Sequence, residues 1–334
     1  MKETHLALYR KYRPETFSDV VGQDQAVNLL VSSIKQKKIS HAYLFCGGRG
    51  TGKTTVARIV ARDIGCNPED IIEIDAASNR GIDEIRALRD AVRTSPFSSP
   101  YKVYIVDEAH MLTKEAANAL LKTLEEPPSH VVFILATTDP EKLPQTIVSR
   151  CQKVVFNQPD LKVLADRLIS VAEKEDRRLS VETAELIARH GKGSYRDALG
   201  ILEQVLSISG KIIKHDDVVT TLGTTEKESL IALLEAVCIK NSKDVISSIK
   251  NIEGKTSAIR TYDDFIELVR SGLLIRIGEG DKKDKELTRL ATEYPLIIGS
   301  KLVLELLSKR HLLEVSNTHS WTAFLAILLS LVEA

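Results

Sequence analysis

Five short apolar segments alternate with amphipathic segments over residues 1–157. Three of the five are nearly continuous runs of hydrophobic side chains, which is typical of strands buried on both faces of a parallel sheet. Apolar residues at helical spacing lie between them, as in residues 114–126, which end before two prolines. This alternation predicts an α/β domain with a parallel five-stranded sheet. The predicted strands are residues 42–46, 70–75, 101–108, 130–138 and 151–156.

The pattern changes near residue 158, where the strand-like runs end. Apolar residues then recur every three or four positions, which is the spacing of amphipathic helices. We therefore expect three domains, with the α/β domain followed by two helical ones. Their predicted bounds are residues 1–157, 158–223 and 224–334.

The chain carries 46 basic and 46 acidic residues, so its net charge is zero. No overall positive field indicates a nucleic-acid-binding protein, and contact with DNA would need a local basic patch. The N-terminal residues lack the apolar core of a signal peptide. The apolar stretch at residues 321–334 is shorter than the roughly 20 residues that span a bilayer. We therefore expect a cytoplasmic protein with no membrane partner.

The four cysteines, Cys46, Cys66, Cys151 and Cys238, lie far apart along the chain. None belongs to a Cys-x-x-Cys pair or to another spacing that is typical of metal ligands. The sequence therefore predicts neither a zinc site nor a disulfide framework.

Residues 47–54, which we call the phosphate loop, fit the pattern G-x-x-x-x-G-K-[ST]. Its glycines allow a tight loop whose N–H groups point at phosphate oxygens, and the next helix presents its positive end to the same anion. We expect Lys53 to reach the β- and γ-phosphates and the Thr54 hydroxyl to bind Mg²⁺. A glycine-rich turn without a ligand is the alternative. The predicted strand before the loop and the helix after it favour phosphate binding.

A phosphate loop alone gives binding, and hydrolysis needs a second element. The strand at residues 101–108 supplies one, since it ends in Asp107 and Glu108. We expect Asp107 to hold Mg²⁺ through water and Glu108 to polarise the attacking water. Two solvated carboxylates at a strand end are the alternative. The following strand ends in Thr137 and Thr138, where a hydroxyl would lie close to the γ-phosphate.

Six segments together resemble the AAA+ ATPases and, within that superfamily, the gamma/tau subunits of bacterial DNA polymerase III, which drive the sliding-clamp loader. The resemblance covers most of residues 8–223, whereas residues 224–334 are similar to the family's helical collar domain only in position and helical pattern. It implies an AAA+ P-loop ATPase domain followed by a small helical lid domain and an all-α collar domain. The six segments are residues 8–23, 41–55, 73–86, 103–128, 135–152 and 193–204.

The resemblance implies a motor subunit that hydrolyses ATP, with Mg²⁺, to open the sliding clamp and load it on primed DNA. Thr138 would be the first sensor, with Thr137 as the alternative. Arg150 would be the arginine finger, acting on ATP of a neighbouring subunit, and Arg196 the second sensor, acting on ATP of its own chain. The residues implied to contact the nucleotide are Tyr9, Arg13, Pro14 and Val21 beside the adenine, and Gly47, Gly48, Arg49, Gly50, Thr51, Gly52, Lys53, Thr54, Thr55 and Arg196 elsewhere.

Arginine suits the two sensing roles because its planar, charged fork matches phosphate oxygens whose charge redistributes during transfer. As isolated residues, Arg150 and Arg196 would be interpreted as surface salt-bridge partners. Their Ser-Arg-Cys and Arg-Asp-Ala-Leu contexts favour the roles that the resemblance implies.

The partners that the resemblance implies are the delta and delta-prime subunits, further gamma/tau copies, the sliding clamp and primer–template DNA. For DNA, Ser78 or Asn79 is expected to cap a helix that begins near Ile82. The helix would present its N–H groups, with Arg80 and Arg86, to backbone phosphates. A capped surface helix without a ligand is the alternative.

The sequence departs from the family in two places. Most gamma/tau chains carry a four-cysteine zinc module where this chain has only residues 65–70, so Cys66 has no cysteine partners nearby and we expect no zinc. The chain also ends at Ala334 without the long tail of the tau form. It is therefore expected to be either a gamma-like form or a shortened chain.

Three other functions compete with a hydrolysing loader subunit. A non-hydrolysing structural subunit of the same loader would be expected to have a damaged phosphate loop, and this one is intact. Another AAA+ DNA motor is disfavoured by residues 122–128 and 149–151, which are typical of the loader. A P-loop kinase would leave Arg150 and the helical C-terminal region unexplained.

Overall fold

The computed structural model describes residues 6–78, 91–223, 225–254, 256–280, 284–316 and 319–333. By its internal contacts the chain divides into two compact units, Met1–Lys214 and His215–Ala334. The three domains predicted from the sequence stay a prediction beside this division.

The first unit is built on a parallel five-stranded sheet, which confirms the predicted fold class. Its strands are β1 (Ala42–Gly47), β2 (Ile71–Asp75), β3 (Lys102–Asp107), β4 (Val131–Thr137) and β5 (Gln152–Phe156). They lie in the order β2-β3-β4-β1-β5, and every neighbouring pair is parallel. Leu44 of β1 lies beside Leu135 of β4 on one side and Lys153 of β5 on the other.

Helices connect these strands and continue beyond them. Within the described residues, the helices of the first unit are α1 (Leu8–Lys11), α2 (Asp24–Lys35), α3 (Lys53–Asp63), α4 (Lys114–Glu125), α5 (Gln145–Val148), α6 (Leu161–Lys174), α7 (Val181–His190) and α8 (Tyr195–Ile208). Short 3₁₀ helices lie at Phe17–Asp19, Pro68–Asp70, Ala109–Met111 and Pro140–Lys142. α4 ends at Glu125, two positions before Pro127, as the position of the proline predicts.

Two short strands after β5 were not expected, because strand-like runs end there in the sequence. β6 (Arg178–Leu179) pairs in parallel with β7 (Ile212–Ile213). Each has two residues, which is too short for an alternating pattern to be recognised.

The sheet is covered on both faces. Leu44 and Tyr104 belong to the core cluster that includes side chains of α4, whereas Phe45 and Ile105 belong to the cluster that includes side chains of α3. Consecutive residues of a strand therefore enter different cores, which explains the continuous apolar runs in the sequence. Burial of each such side chain contributes roughly 1.5–3 kcal/mol relative to exposure.

The second unit is helical. Over the part of this unit that the structure describes, its helices are α9 (His215–Leu222), α10 (Lys227–Cys238), α11 (Ser242–Ile252), α12 (Ala258–Ile277), α13 (Lys285–Glu293), α14 (Ser300–Lys309), α15 (His311–Val315) and α16 (Ser320–Glu333). Its core centres on Tyr262, whose ring meets Phe324 edge-on at 5.0 Å between centroids and whose hydroxyl donates to Leu306 O at 2.7 Å. Among the helices that the structure describes in either unit, none is long and apolar enough to cross a membrane.

Candidate nucleotide site

The phosphate loop follows β1, which lies between β4 and β5 in the sheet. In open parallel α/β sheets, ligands bind beyond the carboxyl ends of the strands, which is where the phosphate loop begins. Gly50 and Gly52 have φ of 70° and 105°, in the left-handed region that glycine adopts without a steric penalty. A Cβ added at Gly47 would lie 2.2 Å from Phe156 O, so the first residue of the loop has room for glycine alone.

Lys53 and Thr54 are the last two residues of the phosphate loop and the first two residues of α3. Lys53 Nζ donates to the carbonyl oxygens of Gly47 and Gly48, both at 2.8 Å. The side chain is buried, and burial lowers the pKa of the Lys53 ammonium group. Thr54 Oγ1 donates to Asp107 Oδ2 at 2.7 Å. The two oxygens expected to bind Mg²⁺ therefore meet beside the cation expected to bind phosphate.

This pair of oxygens fits a magnesium ion bound together with a nucleotide. Mg²⁺ at such sites takes one or two protein oxygens, several waters and substrate phosphates. Over the part of the chain that the structure describes, no group of three or more His, Cys, Asp and Glu side chains could hold a metal ion. Thr54 and Asp107 supply the smaller donor set that a phosphate-bound Mg²⁺ needs.

Glu108 follows β3 with φ 48°, an uncommon left-handed conformation for a residue with a side chain. Such a conformation costs on the order of 1–3 kcal/mol and is frequent at functional sites. Its Oε2 accepts a hydrogen bond from Thr138 Oγ1 at 3.1 Å and lies 3.4 Å from His110 Nδ1. Thr137 is fully buried and contacts His110 Nδ1 through Oγ1 at 3.0 Å. The hydroxyl that contacts the expected base is therefore that of Thr138.

Most of the predicted nucleotide residues line one cavity of about 630 Å³ in the first unit. Gly47 and Gly48 lie outside its lining and instead accept the Lys53 hydrogen bonds. Thr138 also lies outside it and reaches the site through Glu108. The predicted residues that line the cavity are Tyr9, Arg13, Pro14, Val21, Arg49, Gly50, Thr51, Gly52, Lys53, Thr54, Thr55, Asp107, Glu108 and Arg196.

Cations outnumber acids in this lining. The acids are Asp19, Asp107 and Glu108, and the cations are Arg10, Arg13, Arg49, Lys53, Arg58, Arg167 and Arg196. A concave wall with a positive surplus concentrates polyanions such as nucleotide phosphates. Arg10, Arg58 and Arg167 received no role from the sequence because a lone arginine carries no signal of its position.

Arg13 lies against the helix that carries the phosphate loop. Its Nε donates to Thr55 Oγ1 at 3.0 Å. Burial, and then the nearby charge of Arg58, lower the pKa of the Arg13 guanidinium group. Arg13 was predicted to flank the adenine, and this contact places its charge beside the first turn of α3.

The N-terminal segment (residues 6–21) is tied to the helices that follow the sheet. Leu8 N donates to Glu203 Oε2 of α8 at 3.1 Å. Tyr12 OH donates to Glu175 Oε1 at 2.5 Å, just beyond α6. The Arg196 guanidinium lies 5.0 Å from the centroid of the Tyr9 ring, within cation–π range. The two residues predicted to contact different ends of the nucleotide therefore touch each other.

The phosphate loop is also held from outside by residues to which the sequence assigned no role. Tyr195 N donates to Gly50 O at 3.0 Å, and Tyr195 OH donates to Val21 O at 2.8 Å. A Cβ added at Gly50 would lie 1.9 Å from Ser194 Oγ. Gln23, which is buried, donates from Nε2 to Thr51 O at 3.3 Å. The N-terminus of α8 and the loop thus form one contact surface.

Arg150 is not in the cavity lining of its own chain. Its Nη2 donates to Glu125 Oε1 at 2.6 Å, and its Nη1 donates to Thr146 O at 2.8 Å. The two side chains of the ion pair are 35% and 48% exposed. The predicted finger is therefore a partly exposed surface residue that is held by its own chain.

Two further expectations concern DNA and zinc. Arg80 and Arg86 lie outside the described residues. Cys66 is buried, and its Sγ donates to Tyr101 O at 3.1 Å. Burial raises the pKa of the Cys66 thiol to about 11.

Comparisons with known proteins agree with the resemblance seen in the sequence. A protein-family model described as "DNA polymerase III, delta subunit" matches residues 22–80 and 67–160. The chain is 38% identical to DNA polymerase III subunit tau of Bacillus subtilis, over 92% of this chain and 60% of that protein. It is 36% identical to DNA polymerase III subunit gamma of Buchnera aphidicola, over 73% of this chain and 72% of that protein.

The chain spans only part of some relatives, covering 60% of the Bacillus subtilis protein and 45% of the 37% identical Escherichia coli subunit tau. Among solved structures, the Thermotoga maritima RuvB Holliday junction branch migration motor is similar, with a TM-score of 0.54 and 20% identity. The match covers 80% of this chain and 94% of that chain. At this identity the likeness concerns the fold alone.

Proposed function

The chain belongs to the gamma/tau family of DNA polymerase III subunits and has an AAA+ P-loop ATPase fold, and we propose that it is an ATP-hydrolysing motor subunit of the sliding-clamp loader. In this proposal, ATP binding and hydrolysis open the ring-shaped clamp and load it on primed DNA. A cytoplasmic site of action is part of the same proposal.

The observation that carries the proposal is the hydrogen bond of 2.7 Å between Thr54 Oγ1 and Asp107 Oδ2, beside Lys53. Lys53 Nζ now donates to two loop carbonyls, and β- and γ-phosphate oxygens are stronger acceptors that would draw it into the cavity. Mg²⁺ would be held by Thr54 and Asp107, where it would offset negative charge on the phosphates.

Glu108 is the proposed base for the attacking water. Its backbone conformation and its hydrogen bond from Thr138 fix the carboxylate before a substrate arrives. A positioned base of this kind contributes typically 10²–10⁴-fold to a rate. Through this hydrogen bond, Thr138 connects the Glu108 carboxylate to the end of β4. Strand β4 is paired with β1, which leads into the phosphate loop.

Arg150 is proposed to act on the nucleotide of a neighbouring subunit. Its side chain is partly exposed and lies outside the cavity lining of its own chain, which supports a target in another subunit. An arginine finger is worth roughly 10³–10⁵ in rate, so hydrolysis would depend on assembly.

ATP binding is proposed to change conformation through α8. Arg196 and Tyr195 begin that helix and touch Tyr9, Val21 and Gly50. A nucleotide between Tyr9 and the phosphate loop would displace Arg196 from the ring towards the phosphates. A ligand shifts such an equilibrium by its difference in affinity for the two arrangements.

The proposed partners are the delta and delta-prime subunits, further gamma/tau copies, the sliding clamp and primer–template DNA. Arg80 and Arg86 are proposed to contact backbone phosphates of that DNA. Contacts of this type give orientation and salt-dependent affinity without reading sequence.

Steady-state ATP turnover tests the proposal, for the chain alone and with the clamp, the remaining loader subunits and primer–template DNA of the same organism. Arg150→Ala is measured beside Arg189→Ala, which removes an exposed arginine that pairs with Glu185 on α7. A slow basal rate that rises only in the full mixture and falls with Arg150→Ala alone is expected. A fast basal rate indifferent to all additions would overturn the proposal. ATP binding without turnover in any mixture would favour a non-hydrolysing structural subunit.

A further inference from the structure

The guanidinium group of Arg150 is held by three acceptors of its own chain. Nη2 donates to the carboxylate of Glu125, the last residue of α4. Nη1 donates to Thr146 O of α5 and, more weakly at 3.4 Å, to Ser149 Oγ. The distance of 2.6 Å between Nη2 and Oε1 is that of a charge-assisted hydrogen bond. Among the described residues, no acceptor lies within hydrogen-bonding distance of the Arg150 Nε–H group.

The ion pair between Arg150 and Glu125 is exposed enough for Arg150 to leave Glu125 for another anion. Both side chains are between one third and one half exposed, so water and salt screen their attraction. A pair this exposed changes an equilibrium constant by up to about fivefold. That is enough to set where Arg150 lies in a free chain, and too little to resist a stronger anion.

We infer that Glu125 is a positioning residue that holds Arg150 on its own chain and competes for it with the nucleotide of a neighbouring subunit. The second half of this inference rests on the proposed role of Arg150 in trans. The first half, the hold itself, requires no assembly and no ATP.

The terminal phosphate of a nucleoside triphosphate wins this competition. It carries more charge than one carboxylate and offers oxygens that a planar fork binds bidentately. The ion pair with Glu125 must be broken before Arg150 can bind the nucleotide of a neighbouring subunit, which makes the free energy of that binding less favourable. Loss of the Glu125 charge removes that cost, so it should favour assembly around ATP instead of weakening it.

The hold is tested on the isolated full chain with phenylglyoxal, which modifies arginine side chains. The extent of modification of Arg150 is followed over time by mass spectrometry of its peptide. Glu125→Gln keeps the size of the side chain and removes its charge, and is expected to speed modification of Arg150 about two- to fivefold. Glu126→Gln, at the adjacent exposed position, is the matched control and should leave the rate unchanged. An equal rate in both variants would overturn the inference.

The competition is tested by ATP turnover in the full mixture, as the concentration of the remaining loader subunits is varied. Glu125→Gln is expected to lower the concentration that gives half-maximal stimulation by about two- to fivefold. Glu126→Gln is again the matched control and should leave the half-maximal concentration unchanged. A higher or unchanged half-maximal concentration with Glu125→Gln, or the same shift with Glu126→Gln, would overturn the competition.

The two measurements separate the failure of this inference from that of the proposed function. If Glu125→Gln speeds modification of Arg150 but Arg150→Ala leaves turnover unchanged, the hold is real and the trans role of Arg150 is wrong. If Arg150→Ala abolishes stimulation but Glu125→Gln changes neither measurement, the proposed function stands and Glu125 has no positioning role.

Discussion

Thr138 Oγ1 donates a hydrogen bond to Glu108 Oε2 at 3.1 Å, which joins the carboxyl ends of two neighbouring strands. Glu108 follows β3 in a left-handed backbone conformation, and Thr138 directly follows β4. The carboxylate is thus aimed by its backbone and by a hydroxyl of the next strand. Its position is thereby coupled to the ends of both strands.

Thr138→Val removes this hydroxyl and nearly keeps the shape of the side chain. We expect kcat for ATP hydrolysis in the full mixture of clamp, loader subunits and DNA to fall about tenfold or more. The reason is that a general base that is no longer positioned loses much of its contribution to the rate. The Kd for ATP should change less than about twofold, since the hydroxyl contacts Glu108. Single-turnover kinetics and a separate ATP titration measure the two quantities. Weaker binding with unchanged kcat would show that Thr138 contacts the nucleotide instead.

Thr137→Val should act on stability. The Thr137 hydroxyl is fully buried, accepts from Asp139 N at 3.0 Å and contacts His110. Its removal leaves buried polar groups without a partner, so the free energy of unfolding should fall by about 1–3 kcal/mol. Urea denaturation followed by circular dichroism measures the change. An undiminished stability would mean that water replaces the hydroxyl.

Gly50→Ala should break the contact between the phosphate loop and α8. The residue has φ 70°, and its added Cβ would overlap Ser194 Oγ. We expect a loss of about 2 kcal/mol or more in unfolding free energy, together with weaker ATP binding. Gly200→Ala is the matched variant, since its added Cβ on α8 would meet nothing within 4 Å apart from the neighbouring backbone of its own helix. It should stabilise the chain by about 0.5–1 kcal/mol. Equal effects of the two variants would contradict the close packing at Gly50.

Arg13→Gln should weaken ATP binding about five- to thirtyfold, because it removes a charge that lines the cavity and contacts Thr55. At saturating ATP, kcat should change little, as expected of a group that binds substrate and transition state alike. Competition with a fluorescent ATP analogue measures the affinity. Arg62→Gln, in the last turn of α3 and outside the cavity lining, should change the affinity less than about twofold. A loss of kcat without a loss of affinity would assign Arg13 to catalysis.

The buried thiol of Cys66 predicts a pH dependence of stability. Burial raises its pKa from 9.0 to about 11, so the folded chain keeps the proton that the unfolded chain releases. The stabilisation is complete below pH 9 and is lost as pH rises through about 11. Cys66→Ala should therefore reduce the alkaline slope of unfolding free energy by up to about 1.4 kcal/mol per pH unit. Urea denaturation at pH 8, 9, 10 and 11 tests this, and an unchanged slope would contradict it.

The sheet and many of the residues that line the cavity could be predicted from the sequence because their signals are local. A glycine-rich loop between an apolar strand and a helix is contiguous in sequence, and Asp107 and Glu108 end a strand that must be buried. The residues implied by resemblance followed from short segments in the same way. The longest of these segments is residues 103–128.

The contacts that support the site could not be predicted because they join distant parts of the chain. Gln23 reaches Asn157 across 134 positions, and Tyr195 reaches Val21 across 174. A glutamine or a tyrosine in the sequence does not indicate which distant residue it contacts. The choice between Thr137 and Thr138 likewise depends on which side of β4 faces Glu108, and two adjacent threonines do not distinguish these sides.

The start of the phosphate loop carries a consequence for how this chain tolerates mutation. Gly47 is fixed by the backbone of β5, because any Cβ there would meet Phe156 O. Selection against a substitution at Gly47 would therefore not show that the residue binds ATP. In a library of variants, substitutions at Gly47 should be lost as often in a screen for soluble expression as in a screen for ATPase activity. Substitutions at Glu108 should be lost mainly in the screen for activity.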